Sequence, residues 1–162
     1  MKKVRILICL VALLATTSSI HAGDFTLTGT EHLDVTTTYD RGVLYDFSSA
    51  NVLPGGSVNT IIAIDSSIVN ITGGSAQVLN ATDNSTVNVS SGSFDSYLTA
   101  GDNSTLNFSD ASAPILAAFK NSTVNITGGS VGYVNAYNLW FNGPQSIPAV
   151  MVIDCGPLNH KL

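Results

Sequence analysis

Apolar and polar residues alternate along this chain in a unit that repeats every 18 residues, with one slip to 19, between Gly29 and Tyr137. The four clearest copies begin at Asp65, Asp83, Asp102 and Lys120. A short fixed period of this kind is typical of a chain that stacks one supersecondary unit on the next. The pattern therefore predicts a repeat architecture.

Each copy contains two apolar stretches, numbered here from position 1 at Asp65. Positions 5 and 7 are apolar around an asparagine at position 6, as in Val69-Asn70-Ile71, and this alternation predicts a strand with one buried face. Positions 8 to 11 are rich in glycine and serine, which indicates a turn. Positions 12, 15 and 17 are apolar again, and one copy has an extra residue between Phe94 and Leu98 that predicts a bulge.

Two weaker copies and a partial one extend the pattern toward the N-terminus. The copy 47–64 has Leu53 at position 7. The copy 29–46 has Val43 and Tyr45 at positions 15 and 17. A partial coil before it has Phe25 and Leu27 at positions 15 and 17. Six coils are then accounted for between Gly29 and Tyr137.

Paired helices do not fit a unit of this length, because the apolar positions lack helical spacing and β-branched residues, Asn and Ser dominate. The prediction is an all-β fold: a single-stranded parallel β-helix, or β-solenoid, that is right-handed, has about 18 residues per coil and about six coils, and ends in a C-terminal cap. A small β-sandwich is the structural alternative.

Three segments are predicted along the chain. Residues 1–22 resemble a secretory signal peptide, with a basic start, a short apolar stretch from Ile6 to Ala15 and a cleavage site after Ala22. The apolar stretch is shorter than the roughly 20 residues that a membrane-spanning helix needs. After removal of the signal peptide, no membrane insertion is expected. Residues 23–137 form the β-solenoid domain. Residues 138–162 form a capping segment, with Trp140 and Phe141 over the end of the core.

Removal of the signal peptide leaves a strongly acidic chain. Arg41, Lys120 and Lys161 remain against eleven Asp and Glu residues, a formal net charge of −8. Nucleic-acid binding is excluded because phosphate contacts require clustered Lys and Arg. Cys155 is then the only cysteine, so no internal disulfide can form. The expected location is secreted, either extracellular or at the cell surface.

The outward positions 4, 6 and 8 form the candidate binding face, because stacking turns a repeated residue into a ladder. Its residues are Thr86, Asn88, Ser90, Thr105, Asn107, Ser109, Thr123, Asn125 and Thr127. His32, Asp34 and Thr36 form an imperfect version of the same rung. Uncharged polar residues tolerate parallel stacking, so the ladder can be purely structural, or it can bind a periodic ligand such as a glycan or ice.

No catalytic, cofactor or metal site is predicted. His32 and His160 lie at opposite ends of the mature chain, and the common hydrolase and metalloprotease motifs are absent. Aspartates at position 1 raise the alternative of Ca²⁺ binding. The preferred interpretation is that each bonds its own turn backbone, and Lys120 replaces the aspartate in the last copy.

The repeat core, seen in SSIVNITGGSA and NSTVNITGGSV, resembles tandem repeats of exported bacterial proteins. The leader GDFTLTGTEHLDVTTTYDRGVLYDFSSANV looks like their N-terminal coil. These are planctomycete-type β-solenoid proteins of unknown function, often associated with a PEP-CTERM sorting signal. This chain lacks that signal, which requires Pro-Glu-Pro before an apolar helix and a basic tail. The resemblance implies an extracellular repeat protein and offers no catalytic residues to carry over.

These observations predict a secreted structural or surface-interaction repeat protein with no catalytic activity. One alternative is a carbohydrate- or matrix-binding module that uses the Thr/Asn/Ser ladder, with an extracellular polysaccharide or a cell-surface matrix as partner. A second alternative is an ice-binding protein, which thermal hysteresis would reveal. End-to-end self-association is also expected if a strand edge at either end is open.

Overall fold

The computed structural model describes residues 21–136, 139–141 and 151–154, with side chains described from residue 23 to residue 136. This part of the chain is all-β and forms one 14-stranded sheet. The strands are β1 (His21–Ala22), β2 (Phe25–Leu27), β3 (His32–Val35), β4 (Thr38–Leu44), β5 (Ser49–Val52), β6 (Ser57–Ala63), β7 (Ile68–Ala81), β8 (Thr86–Ala100), β9 (Thr105–Phe108), β10 (Ala111–Ala118), β11 (Thr123–Ile126), β12 (Ser130–Ala136), β13 (Leu139–Phe141) and β14 (Met151–Asp154).

Successive coils stack in parallel and in register. Asn70 of β7 pairs with Asn51 of β5 on one side and with Asn88 of β8 on the other, so each residue lies beside its own repeat equivalent. The same register continues to Asn107 and Asn125. The predicted β-solenoid, with about six turns of about 18 residues, is confirmed.

Each coil has three paired sides. Side A comprises positions 4–7, side B positions 11–12 and side C positions 14–17. Pairing between β6 and β7 runs through Val58 and Ala76, skips position 13, and resumes at Thr60 and Val78. The inward-facing residues at positions 12 and 15 are three residues apart, whereas regular strand alternation would place them two or four apart. The chain therefore bends at position 13 and encloses one core between the three sides.

The core consists of the predicted inward positions. Positions 5, 7, 12, 15 and 17 of the four clearest coils are all buried, which confirms the apolar pattern. Position 7 of the coil that starts at Asp102 holds Phe108, the largest of the fully buried side chains. The predicted bulge is also confirmed, since the pairing of β7 with β8 shifts register between Ala76 and Val78, opposite Phe94 and Tyr97.

The first two complete coils differ from the prediction by one residue. Val52 and not Leu53 pairs with Ile71 at position 7, so this coil begins at Asp46. In the coil before it, Gly42 and Leu44 occupy positions 15 and 17, where the sequence analysis placed Val43 and Tyr45. The reason is the turn between sides A and B, which has two residues at 36–37 and four at 53–56, against three at 72–74. One shortened turn and one lengthened turn cancel, which hides both from a fixed period.

Phe25 covers the N-terminal end of the core. Phe25 and Leu27 occupy positions 15 and 17 of a partial coil, as predicted. The Phe25 ring packs against Gly42, where an added Cβ would collide with it, and contacts Tyr39 edge-on at 5.1 Å between ring centroids. The glycine at position 15 is therefore explained by the aromatic ring above it.

The ends of the solenoid are covered differently. At the C-terminal end β13 and β14 pair antiparallel with β12 and β11, along the edges of the last coil. At the N-terminal end β1 pairs with β4, so His21 and Ala22 of the predicted signal peptide belong to the sheet. Residues 1–20 and the side chains of the predicted cap lie outside the described residues, and the three segment boundaries stay predictions.

Replacement of Gly92 tests how closely the coils approach. Gly92 has φ +121°, and an added Cβ would collide with the carbonyl oxygen of Gly74 one coil away. We expect Gly92→Ala to lower the free energy of unfolding by about 3 kcal/mol, since it combines backbone strain with overpacking. Gly101→Ala is the control, because its Cβ would lie 3.7 Å from the nearest atom, Ala81 O. Equal stability of the two variants in denaturant unfolding would contradict the close approach.

Candidate functional site

The nine residues of the predicted binding face lie together on three successive rungs. Positions 4 and 6 are on the outer surface of side A, and position 8 is at the start of the adjoining turn. The threonines at position 4 and the asparagines at position 6 are only half-buried, because each is covered by its equivalents above and below. Ser90 and Thr127 are exposed. The structure therefore collects this set into one continuous polar surface.

The asparagines at position 6 form an unbroken hydrogen-bonded ladder, called here the asparagine ladder (Asn51, Asn70, Asn88, Asn107 and Asn125). Each side-chain Nδ2 donates to the Oδ1 of the asparagine one coil toward the N-terminus. The Nδ2 to Oδ1 distances, starting from Asn125, are 2.8, 2.8, 2.9 and 3.0 Å. All amides therefore point in the same direction, and aligned hydrogen bonds of this kind polarise one another.

The asparagine ladder ends on a carboxylate. Asn51 Nδ2 donates to Asp34 Oδ1 at 2.7 Å. The hydrogen bond from Asn51 and, second to it, the hydrogen bond to His32 hold the pKa of Asp34 below its ordinary value. A carboxylate accepts hydrogen bonds and has none to donate, so it suits the end of a chain that delivers only N–H groups.

Hydroxyl groups at position 8 are directed back to the main chain. Ser109 Oγ donates to Val89 O at 3.3 Å and Ser90 Oγ to Ile71 O at 3.4 Å. Thr127 is at 3.5 Å from Phe108 O. These hydroxyls donate their protons to the neighbouring coil and keep oxygen lone pairs on the surface. The polar face thus offers mostly acceptors at position 8.

A shallow groove runs along this face between positions 6 and 8. It has a volume of about 140 Å³. Its lining residues are Asn88, Val89, Ser90, Asn107, Phe108, Ser109, Asn125 and Thr127. Six of the nine predicted face residues contribute to it, and Thr86, Thr105 and Thr123 lie on the other side of the asparagine ladder. The groove runs parallel to the axis of the solenoid, so a ligand in it would cross several coils.

A serine, a histidine and an aspartate meet at the base of the ladder, which the sequence analysis did not anticipate. Ser49 Oγ lies 2.7 Å from His32 Nδ1, and Asp34 Oδ1 lies 3.1 Å from His32 Nε2. Serine hydrolases contain the same three residue types, but there the serine pairs with Nε2 and the aspartate with Nδ1, the reverse of the arrangement here. In addition, the backbone N–H of Ser49 donates to Glu31 O at 2.9 Å and cannot serve as an oxyanion donor. Asp34 also accepts from Asn51, so the cluster is the terminus of the ladder.

Two of the aspartates at position 1 bond the backbone of the neighbouring coil, whereas the expectation was that each bonds the backbone of its own turn. Asp46 Oδ2 accepts from Gly29 N at 3.0 Å, and Asp65 Oδ2 accepts from Asp46 N at 3.2 Å. Asp83 Oδ2 accepts from Thr82 Oγ1 within its own turn at 3.3 Å. Position 1 is in the left-handed region, with φ of +57° at Asp46 and +55° at Lys120. Lys120 forms an ion pair with Asp102. Among the described residues, no cluster of acids, histidines or cysteines has the arrangement of a metal site.

A column of buried serines at position 3 was missed by the sequence analysis. Its members are Ser48, Ser67, Ser85, Ser104 and Ser122, all fully buried. Their backbone N–H groups close the corner turn, as in Ser122 N to Phe119 O at 3.2 Å. Ser122 Oγ donates to Ala100 O of the coil below at 3.0 Å. The recurrence of Ser at position 3 of the four clearest copies was the available signal.

Comparison with known proteins finds no matching family model, no matching curated protein and no matching solved structure. The resemblance to exported bacterial repeat proteins therefore stays a prediction. Within the described residues, no helix is long and apolar enough to span a bilayer.

Asp34 provides a pH test of the ladder. Because the pKa of Asp34 is lowered in the folded state, its bonds stabilise the fold above the ordinary aspartate pKa of about 4 and cease to do so as pH falls through the folded value. We expect Asn51→Ala to raise the pKa of Asp34, measured by NMR titration of its carboxyl group.

Asn103→Ala is the matched control, because Asn103 lies at an exposed corner outside the asparagine ladder. An Asp34 pKa that is the same in the Asn51→Ala variant and in the unmodified protein would contradict the assigned hydrogen bond.

Proposed function

We propose that this protein is a secreted structural or surface-interaction scaffold without catalytic activity. The observation that carries the proposal is the asparagine ladder, in which each amide donates to the next coil and so contributes to cohesion along the axis. A net gain of about 1 kcal/mol for each such hydrogen bond is typical. The most regular surface residues of the chain are thus already engaged in holding the coils together.

The dimensions and charge of the domain support a scaffold role. Six coils at about 4.8 Å per coil make a rod about 29 Å long. The mature chain would carry a formal net charge of −8, which favours solubility and disfavours contact with anionic surfaces. Export through the predicted signal peptide and an extracellular or cell-surface location belong to the same proposal.

Asn88→Asp tests the structural role of the ladder. The aspartate keeps the shape of Asn88 but loses the donation to Asn70 Oδ1 and places a carboxylate beside that oxygen. We expect the free energy of unfolding at neutral pH to fall by about 2 kcal/mol, measured by denaturant titration.

Asn84→Asp makes the same charge change on the same coil at an exposed corner, so it should leave stability within about 0.5 kcal/mol of the original. If the two variants unfold at the same denaturant concentration, the ladder does not hold the coils together and the scaffold proposal loses its main support.

A second candidate is a carbohydrate- or matrix-binding module on the same face. The groove between positions 6 and 8 favours it, because hydroxyl oxygens and the second N–H of each ladder amide remain to bond a polar chain. Ice binding, the other alternative, would use the same Thr/Asn/Ser face, and it stays a prediction.

Ser109→Lys tests the groove without interrupting the ladder. A lysine at this lining position fills part of the groove, so we expect at least about a fivefold loss of retention in affinity gels that contain an extracellular polysaccharide retained by the original protein. Asn103→Lys adds the same charge to the same coil at the corner and should keep full retention. Unchanged migration of Ser109→Lys would remove the groove from consideration.

A further inference from the structure

Side C carries an exposed apolar column that the functions above do not use. It comprises Val78, Tyr97, Ile115 and Tyr133 at position 14 of four successive coils, and is called here the tyrosine column. Direct register pairs connect Val78 to Tyr97, Tyr97 to Ile115 and Ile115 to Tyr133. Tyr97 is 36% exposed, Ile115 40% and Tyr133 55%. Large apolar side chains that are exposed singly are common, whereas a continuous row of them marks a binding surface.

The surroundings of the tyrosine column are mostly polar and carry few charges. Position 16 of the same coils, beside the column, holds the half-buried Asn80, Thr99 and Asn135 and the buried Ala117. Thr99 Oγ1 donates to Asn80 Oδ1, so these groups already form an ordered polar edge. Among the described residues, the charged side chains nearest to the column are Asp95, at the bulge, and Arg41, at position 14 two coils before Val78. Aromatic rings flanked by amides and hydroxyls, without paired charges, suit a neutral and hydroxyl-rich ligand.

The distance between the rings of Tyr97 and Tyr133 favours a linear ligand. Tyr97 and Tyr133 are separated by two rungs, about 9.6 Å, and the whole column extends over about 14 Å. In a β-1,4-linked glycan ribbon every second sugar ring presents the same apolar face, at a repeat close to two rungs. The C–H groups of such a face pack on an aromatic ring, while the ring's hydroxyls point sideways to polar neighbours. A ribbon along the solenoid axis would therefore meet both tyrosines with equivalent sugars.

Other occupants fit this surface less well. A second copy would bring together two mature chains, each with a formal net charge of −8. A stable interface also needs about 800 Å² per partner, more than four side chains provide. An anionic polysaccharide would be repelled by Asp95 and by the overall charge. A neutral polymer meets neither objection.

We propose that the tyrosine column binds a neutral β-1,4-linked polysaccharide strand, with one sugar face stacked on Tyr97 and an equivalent one on Tyr133. The site lies on side C and shares no residue with the groove on side A. It gives the scaffold of the proposed function a specific extracellular partner, and it can fail without affecting the structural role of the asparagine ladder.

The test uses co-sedimentation of the mature protein with insoluble cellulose and chitin, with pectate gels as the anionic comparison. Tyr97→Thr and Tyr133→Thr remove one ring each, and threonine is compatible with position 14 because Thr60 occupies it in an earlier coil. We expect retention on at least one neutral matrix, about a tenfold loss of affinity in each variant, and none on pectate. Tyr97→Phe keeps the ring and should keep affinity within about threefold.

Tyr45→Thr is the matched control, because Tyr45 is 38% exposed and lies at a corner away from the column. Unfolding curves of all variants show whether each is folded. The proposal is overturned if neither cellulose nor chitin retains the protein, or if Tyr45→Thr weakens retention as much as Tyr97→Thr. It is also overturned if sedimentation shows a dimer that Tyr133→Thr dissociates, since a second copy would then occupy the column.

Discussion

Parallel, in-register stacking is the constraint on which the rest of this structure depends. It places every residue about 4.8 Å from its own equivalent in the next coil, so each position must tolerate a copy of itself as its nearest neighbour. Asparagine meets this condition at position 6 because one amide both donates and accepts. Alanine meets it at position 17 by being small, as at Ala81 and Ala100, and uncharged side chains meet it on the surface of side C.

Much of the fold could be predicted from the sequence because inward positions recur wherever coils have equal length. Val69, Leu79 and Ala81 are buried as the apolar pattern required. The register of the first two coils could not be predicted, since the turns at 36–37 and 53–56 differ in length by two residues and their effects cancel over the pair. Only strand pairing, which fixes Val52 beside Ile71, resolves that ambiguity.

The candidate sites differ in how far the sequence predicted them, because some depend on local alternation and others on the stacking of coils. Outward residues such as Asn88 and Asn107 follow directly from alternation, but the direction of their amides depends on Asp34 at the end of the row. The predicted inward positions 12 and 15 already left Tyr97 at an outward position, but the continuity of the tyrosine column over four coils follows only from the strand register. A serine at position 3 gives no sign of burial in the sequence, because serine is common in surface turns. It is buried by the stacking of the corner turns of successive coils.

The one-way orientation of the asparagine ladder also limits how such a rod can change its length during evolution. Each new coil must accept an N–H from its successor and offer one to its predecessor, a condition met by any duplicated unit inserted between Asp34 and Asn125. A unit added before the coil that contains Asp34 would meet an acceptor-only carboxylate with no proton to pass on. The rod is therefore suited to lengthen from within, with its first coil retained as a fixed starting end.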